Sequence, residues 1–156
     1  MRLTHPFAPV YDENSRVLIL GSFPSVRSRA DCFYYGHPQN RFWKLLAELY
    51  CETVPQTIEE KKSFLLRNRI ALWDVISSCE IENSSDQSIR GATANDLSEI
   101  FEGARIKAVF ANGKTAYTLY RKFNQTPIFC LPSTSPANAA WTMDRLAQAW
   151  QIILKY

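Results

Sequence analysis

The chain has 156 residues, 46% of them hydrophobic and 13% aromatic, enough to bury one substantial core, so a single domain over residues 1–156 is expected. Eighteen basic against fifteen acidic side chains leave a formal charge of +3, which permits a polyanionic partner without naming one. No apolar run approaches the roughly 18 residues of a membrane span, the opening MRLTHPFAPVYDENSR lacks a signal-peptide core, and Cys32, Cys51, Cys79 and Cys130 form no CxxC pair. The expectation is a monomeric cytoplasmic protein, nucleoid-associated in a bacterium, with reduced thiols and neither metal ion nor cofactor.

Residues 1–16 read as an irregular lead-in whose Phe7, Val10 and Tyr11 are placed to cover a sheet edge or a site. Val17 to Leu20 are four consecutive apolar residues, suited to a parallel strand covered on both faces, and Gly21 and Pro24 end it. A long polar and aromatic connection, Ser22 to Gln39, reads as a ligand-facing wall. The helix after it carries Phe42, Leu45, Leu46, Leu49 and Tyr50 as an apolar stripe.

Thr57 and Glu60 have capping-box spacing and open a polar helix to about Arg67, followed by a second strand over Ile70 to Ile76. Ser77 to Thr93 is polar and aperiodic and reads as a solvated loop. Asn95 is placed to cap a short helix with Leu97, Ile100, Phe101 and Ala104 inward. Ile106 to Ala111 predicts a third strand, Asn112-Gly113 a turn into a helix with Ala116, Leu119, Tyr120 and Phe123 inward, and Pro127 to Leu131 a fourth strand. The last helix turns Leu146, Ala149, Trp150, Ile153 and Leu154 inward.

Strands separated by helix-length segments predict a three-layer α/β/α sandwich around a central, mostly parallel four-stranded sheet. Ligands bind such sheets beyond the carboxyl ends of the strands. Here those ends are Gly21-Ser22-Phe23-Pro24, Trp73-Asp74, Asn112-Gly113 and Pro132 to Pro136. The sequence has no GxxxxGK[ST], GxGxxG or GxSxG motif and only two histidines, His5 and His37, so nucleotide triphosphatase, dinucleotide and serine-triad chemistries are poor fits. A rim of backbone N–H groups, hydroxyls and aromatic faces suits phosphates and a flat heteroaromatic ring, as a nucleotide presents.

Three ordered segments, GSFPS at 21–25, HPQNRFW at 37–43 and LPSTSPAN at 131–138, resemble the uracil-DNA glycosylase superfamily, most of all its deoxyinosine (hypoxanthine) glycosylase branch. The resemblance implies a monofunctional enzyme of base-excision repair that flips a deaminated base out of DNA and hydrolyses its N-glycosidic bond, with hypoxanthine as substrate and uracil or xanthine as secondary ones. Two other readings stand beside it: a uracil- or mismatch-specific glycosylase, and a binding module of the same fold without catalysis.

The family's first motif commonly carries a water-orienting Asn or Asp where this chain has Phe23, and in the deoxyinosine branch an asparagine of the second motif, here Asn40, serves instead. Asn40 also stands where an N-cap is favoured, and the two roles are compatible. Phe42 either stacks on the base, as the resemblance implies, or only begins its helix's apolar stripe. Ser22 and Phe23 would stabilise the departing base through backbone N–H groups, with Asn112 at the base edge. Pro24, Ser25, Lys114, Ser133, Thr134 and Ser135 would contact DNA, unless the three hydroxyls simply cap the last helix. Arg27, Arg29, Arg41 and Arg90 form either a phosphate track or solvated surface, and Asp74 reads as structural rather than part of the site. Leu131 replaces the polar residue that opens the third motif in relatives, which favours a broader, purine-accepting pocket over uracil alone.

Overall fold

The computed structural model describes residues 2–5, 7–24, 26–31, 33–80 and 90–156. Its elements are β1 (Arg2–Thr4), β2 (Val17–Gly21), α1 (Val26–Asp31), α2 (Phe42–Leu49), α3 (Ile58–Arg67), β3 (Ile70–Asp74), β4 (Ile76–Glu80), β5 (Arg90–Ala94), α4 (Ser98–Gly103), β6 (Ala108–Asn112), α5 (Lys114–Phe123), β7 (Phe129–Leu131) and α6 (Met143–Trp150). A 3-10 turn, Gln151–Lys155, closes the chain. Four parallel strands in the order β3-β2-β6-β7 make the main sheet, as the sequence predicts. A second, antiparallel sheet, β1-β4-β5, was not expected.

The main sheet steps from β2 to β3 in one direction and from β2 to β6 and β7 in the other. Right-handed crossovers in opposite directions put their helices on opposite faces, which gives the three layers. α5 packs on β6 and β7, while α2 packs on α6. The reversal at β2 opens a crevice beyond its carboxyl end, where Gly21 and Ser22 lie. Both β2 and β3 are buried at every position. β3 is an edge strand of this sheet, and the lead-in covers it: Val10 and Leu72 exchange two backbone hydrogen bonds of 2.9 Å.

Local chemistry sets the helix limits. Thr57 and Glu60 form the expected capping box, the hydroxyl accepting from Glu60 N at 3.0 Å and the carboxylate from Thr57 N at 3.1 Å. α6 starts at Thr142, whose hydroxyl accepts from Arg145 N. Thus Ser133, Thr134 and Ser135 do not cap that helix.

Several expectations need correction. The predicted second strand splits: β3 ends at Asp74, and from Ile76 the chain runs into the second sheet as β4. Part of the predicted 77–93 loop is therefore strand, because backbone pairing with β1 and between β4 and β5 holds a segment whose side chains are largely polar; residues 81–89 of it lie outside the described ones. Asn95 does not cap α4; its amide donates to the carbonyls of Asp74 (2.9 Å) and Ile76 (3.3 Å), tying the corner between the sheets. Strands β6 and β7 begin two residues later than predicted. Phe101, Phe123 and Leu154 are exposed, at 36%, 38% and 44%, because each lies at the margin of its stripe. The long connection after β2 contains a short helix, α1. Among the described residues no helix is long and apolar enough to cross a membrane.

Trp150 links this frame to the site. It is fully buried, meets Phe42 edge-on at 6.2 Å and donates its indole N–H to Pro132 O at 2.9 Å. Replacing it by Phe removes that donor beneath the 132–138 loop. Trp150→Phe is expected to lower stability by about 1–3 kcal/mol, seen as a lower urea midpoint with an unchanged slope.

Candidate active site

Beyond the ends of β2, β3, β6 and β7 lies a cleft of about 1140 Å³. It is lined by Ser22, Phe23, Pro24, Asn40, Asn112, Lys114, Ser133, Thr134 and Ser135, so residues from all three motifs meet in one place. Ser25 lies outside the described residues. Phe42 does not line the cleft.

The meeting point is Thr134, which is fully buried. Its backbone N–H donates to Asn112 Oδ1 (3.0 Å), and its hydroxyl accepts from Asn112 Nδ2 (3.0 Å) and donates to Asn40 Oδ1 (2.8 Å). Its carbonyl accepts from Arg41 N at 3.1 Å. The orientations are determined, because backbone N–H groups can only donate. Phe42 N, 2.9 Å from Asn40, marks the atom it meets as Oδ1, and Thr134 N does the same for Asn112. Both lone pairs of Asn40 Oδ1 are therefore in use, one at the start of α2 and one on Thr134. The half of the side chain left for a ligand is the Nδ2 amide, a donor. Asn40 is not the N-cap of α2, a place that Arg41 holds; its oxygen receives the N–H of Phe42 just inside the helix, and its side chain lines the cleft.

Thr134 has no hydroxyl valence left for a phosphate, which corrects its expected role. Ser133 Oγ accepts from Ser135 N and Ser135 Oγ from Ala137 N, each at 3.1 Å, so both hydroxyls still have a proton to donate. Gly113 has φ +99°, and a Cβ there would stand 3.1 Å from Ser133 Cβ. A glycine is needed at that position for both reasons. Lys114 is exposed beside it, at the first turn of α5.

Arg41 is not part of a phosphate track. Its guanidinium donates to the carbonyls of Ser135 (2.9 Å), Asn138 (3.1 Å) and Trp141, clamping the third-motif loop. Arg29 lies with its guanidinium carbon 5.8 Å from the centre of the Phe23 ring. Nothing in the described residues bears on the side chains of Arg27 and Arg90.

Phe42 is completely buried, and the Tyr35 ring lies stacked on it with centroids 4.0 Å apart and planes at 23°. Tyr35, which no periodicity marks, lines the cleft in its place, with Phe23, Tyr34 and Trp141 among the other rings of the wall. The stripe that locates Phe42 is the same pattern that buries it. Tyr35 has φ 54°, a conformation that costs a non-glycine residue on the order of 1–3 kcal/mol. Its neighbours hold it there: Tyr34 O accepts the Trp43 indole N–H at 3.1 Å, and Gly36 N donates to Ser28 Oγ at 2.9 Å. Burial pushes the Tyr34 phenol well above its ordinary pKa, and the Asp74 charge adds to this, so Tyr34 stays a neutral donor to Ala8 O.

Asp74 also belongs to this wall, against expectation, and His5 stands behind it. Asp74 lines the cleft next to Gly21, its partner across β2 and β3, and is 4% exposed. Its Oδ2 pairs with His5 Nε2 at 2.8 Å. The lead-in brings in His5, whose backbone N–H donates to Ser77 O. No sequence pattern around His5 signals this.

With this geometry in place, a model of the uracil DNA glycosylase superfamily matches residues 8–154, and the chain belongs to that superfamily. Two relatives are named hypoxanthine DNA glycosylase. One, from Methanosarcina acetivorans, is 34% identical over 154 residues, covering 96% of this chain and 97% of the relative; the other, from Methanosarcina barkeri, is 39% identical over 110 residues, 69% and 70% of the two chains. The solution NMR structure of a Methanosarcina acetivorans protein, provisionally named a uracil DNA glycosylase, is similar over 100% of both chains, with TM-score 0.79 and 33% identity.

The Arg41 clamp has a direct test. Arg41→Met is expected to cost about 2 kcal/mol or more of stability by leaving loop carbonyls without a donor. Amide hydrogen exchange should quicken across residues 133–141 while β2 and β3 keep their protection.

Proposed function

We propose that this protein is a hypoxanthine DNA glycosylase: it takes deoxyinosine out of the duplex and hydrolyses the bond between base and sugar. The observation that carries this reading is the Asn40–Thr134–Asn112 chain, which holds an amide donor over a cleft walled by the Tyr35 ring. The near full-length relatives of that name support it.

In this reading the flipped base lies on the cleft side of Tyr35, whose ring is backed by Phe42. Base stacking on an aromatic ring is worth about 1–3 kcal/mol, a useful part of the few kcal/mol that flipping costs. The N9–C1′ bond breaks with its electron pair going to the base, and a water oxygen then bonds to C1′. The proton that water loses balances the departing base, giving free hypoxanthine and an abasic sugar. The transition state is oxocarbenium-like, so a weak nucleophile suffices once it is positioned.

Asn40 Nδ2 holds that water as a donor, leaving a water lone pair free for C1′. Backbone N–H groups at Ser22 and Phe23, at the carboxyl end of β2, stabilise charge on the leaving base. Phe23, 8% exposed, puts an apolar ring on the wall and no acceptor. Ser133 and Ser135 donate to phosphates flanking the lesion, Lys114 adds charge at the start of α5, and Pro24 shapes the wall opposite.

Single-turnover cleavage of a hypoxanthine-containing duplex, revealed by alkali, tests this. Asn40→Ala is expected to slow cleavage by about 10²–10³-fold. Asn40→Asp keeps the acceptor for Phe42 N and Thr134 but exchanges the donor for an acceptor, and should be impaired as well. Full activity in Asn40→Asp would mean that a carboxylate base can replace the amide, and full activity in Asn40→Ala would remove the assignment. Intact DNA bound by the unmodified protein would identify a binder instead. Tyr35→Ala should lose about tenfold or more in rate, with Tyr35→Phe close to the parent.

A further inference from the structure

We propose that His5 and Asp74 act together as the base-reading element of the site, Asp74 accepting the ring N–H that deamination creates and His5 holding the carboxylate in place. This deepens the glycosylase reading and rests on it. The first observation is the geometry of the pair. His5 and Asp74 side chains are 4% and 5% exposed, joined at 2.8 Å through Nε2 and Oδ2. Phe7 N donates to His5 Nδ1 at 3.4 Å, which makes Nδ1 the acceptor and puts the imidazole proton on Nε2, facing the carboxylate. The ring cannot turn easily, with Phe7 at 4.6 Å, Phe23 at 6.0 Å and Trp73 at 6.4 Å around it, all edge-on.

The second observation concerns the other oxygen. Asp74 Oδ1 lies against Gly21, so close that a Cβ there would meet it at 2.4 Å, and the Tyr35 hydroxyl would stand 3.0 Å from the same Cβ. Among the described residues Oδ1 accepts no hydrogen bond, and Asp74 is on the cleft wall. A base lying on the Tyr35 ring therefore points one edge over the phenol end, towards Oδ1.

The chemistry of that edge is the distinction a deamination-repair enzyme must make. Adenine has a lone pair at N1, and hypoxanthine has N–H there; cytosine and uracil differ in the same way at N3. A fixed carboxylate oxygen attracts the N–H and repels the lone pair. A buried acceptor of this kind rejects the analogue without the donor more strongly than a shape-based pocket can. His5 is then a positioning residue: without it the carboxylate could rotate or take up water, and the second oxygen would lose its aim.

The test compares deoxyinosine with 1-methyldeoxyinosine, which lacks the N–H, in single-turnover cleavage by the full-length protein. Asp74→Ala and His5→Phe, the latter refilling the aromatic surround without a donor, are expected to slow deoxyinosine cleavage by about 10- to 100-fold, the range of a hydrogen bond to a charged group. Slow cleavage of the methylated base should change little. His5→Gln restores a donor and should recover most of the rate, and Asp74→Asn, nearly the same shape, should narrow the preference for deoxyinosine over deoxyadenosine. Melting temperature and affinity for abasic-site DNA, which carries no base, identify variants that keep the fold. Unchanged deoxyinosine rates in folded variants, or equal slowing of both substrates, would overturn the proposal. An unmodified protein that leaves deoxyinosine intact would instead remove the glycosylase reading beneath it.

Discussion

Thr134 is where the architecture becomes a site. The second motif and the end of β6 are distant in sequence from the third motif, yet both are fixed by hydrogen bonds to this one buried residue of it. Each such bond contributes only about 1 kcal/mol net, but a missing partner would leave a buried polar group unsatisfied at greater cost. The knot therefore tolerates one arrangement. It places the Asn40 amide by leaving its oxygen no freedom, and the Arg41 guanidinium beside it holds the rest of the loop by three carbonyls. Neighbouring residues in the motif thus divide the work, Asn40 lining the cleft and Arg41 holding the scaffold.

Topology explains why the knot lies at this end of the sheet. The strand order reverses on either side of β2, and the crevice beyond a reversal is where loops from both halves converge. The second sheet branches off beside the carboxyl ends of β2 and β3. After β3, Val75 N and Ile76 N donate to the carbonyls of Gly21 and Ser22, at 2.8 and 3.0 Å, before β4 departs. Those bonds hold the first motif through its carbonyls. β1 pairs with β4 and brings His5 against Asp74, so the small sheet connects the lead-in to a residue of the wall.

The frame was legible in the sequence because its signals are periodic. Four apolar residues at Val17 to Leu20, the stripe from Phe42 and the Thr57–Glu60 box each follow from spacing alone, and each has its counterpart in the structure. The meeting of three motifs at one rim was legible from topology. What escaped depends on contacts across long separations. Tyr35 and His5 occupy irregular segments, where nothing local says which ring faces a cavity. Asp74 was visible as a strand-end residue, but its partner lies 69 positions away. Asn95 has the residue type of a cap, and only the corner between two sheets shows what its amide bonds. β4 and β5 escaped because their polar segments lack the apolar alternation by which strands are recognised.

The composition of the cleft constrains the chemistry it can perform. Most polar groups around Asn40 are amides, hydroxyls and backbone donors; the His37 imidazole and the Lys114 ammonium also line the wall, and the Asp74 carboxylate pairs with His5. The amides and hydroxyls remove no proton from water at neutral pH. In the proposed reading they act by stabilising the leaving base and by holding water where the sugar cation forms, the two tasks that donors perform well. Such a site works best on bases that already leave as stabilised anions. Hypoxanthine and uracil do so because a ring carbonyl replaces the amino group and delocalises the charge, whereas adenine and cytosine lack that carbonyl. The same deamination that creates the N–H donor thus creates the better leaving group, and a weakly basic cleft becomes a selective one.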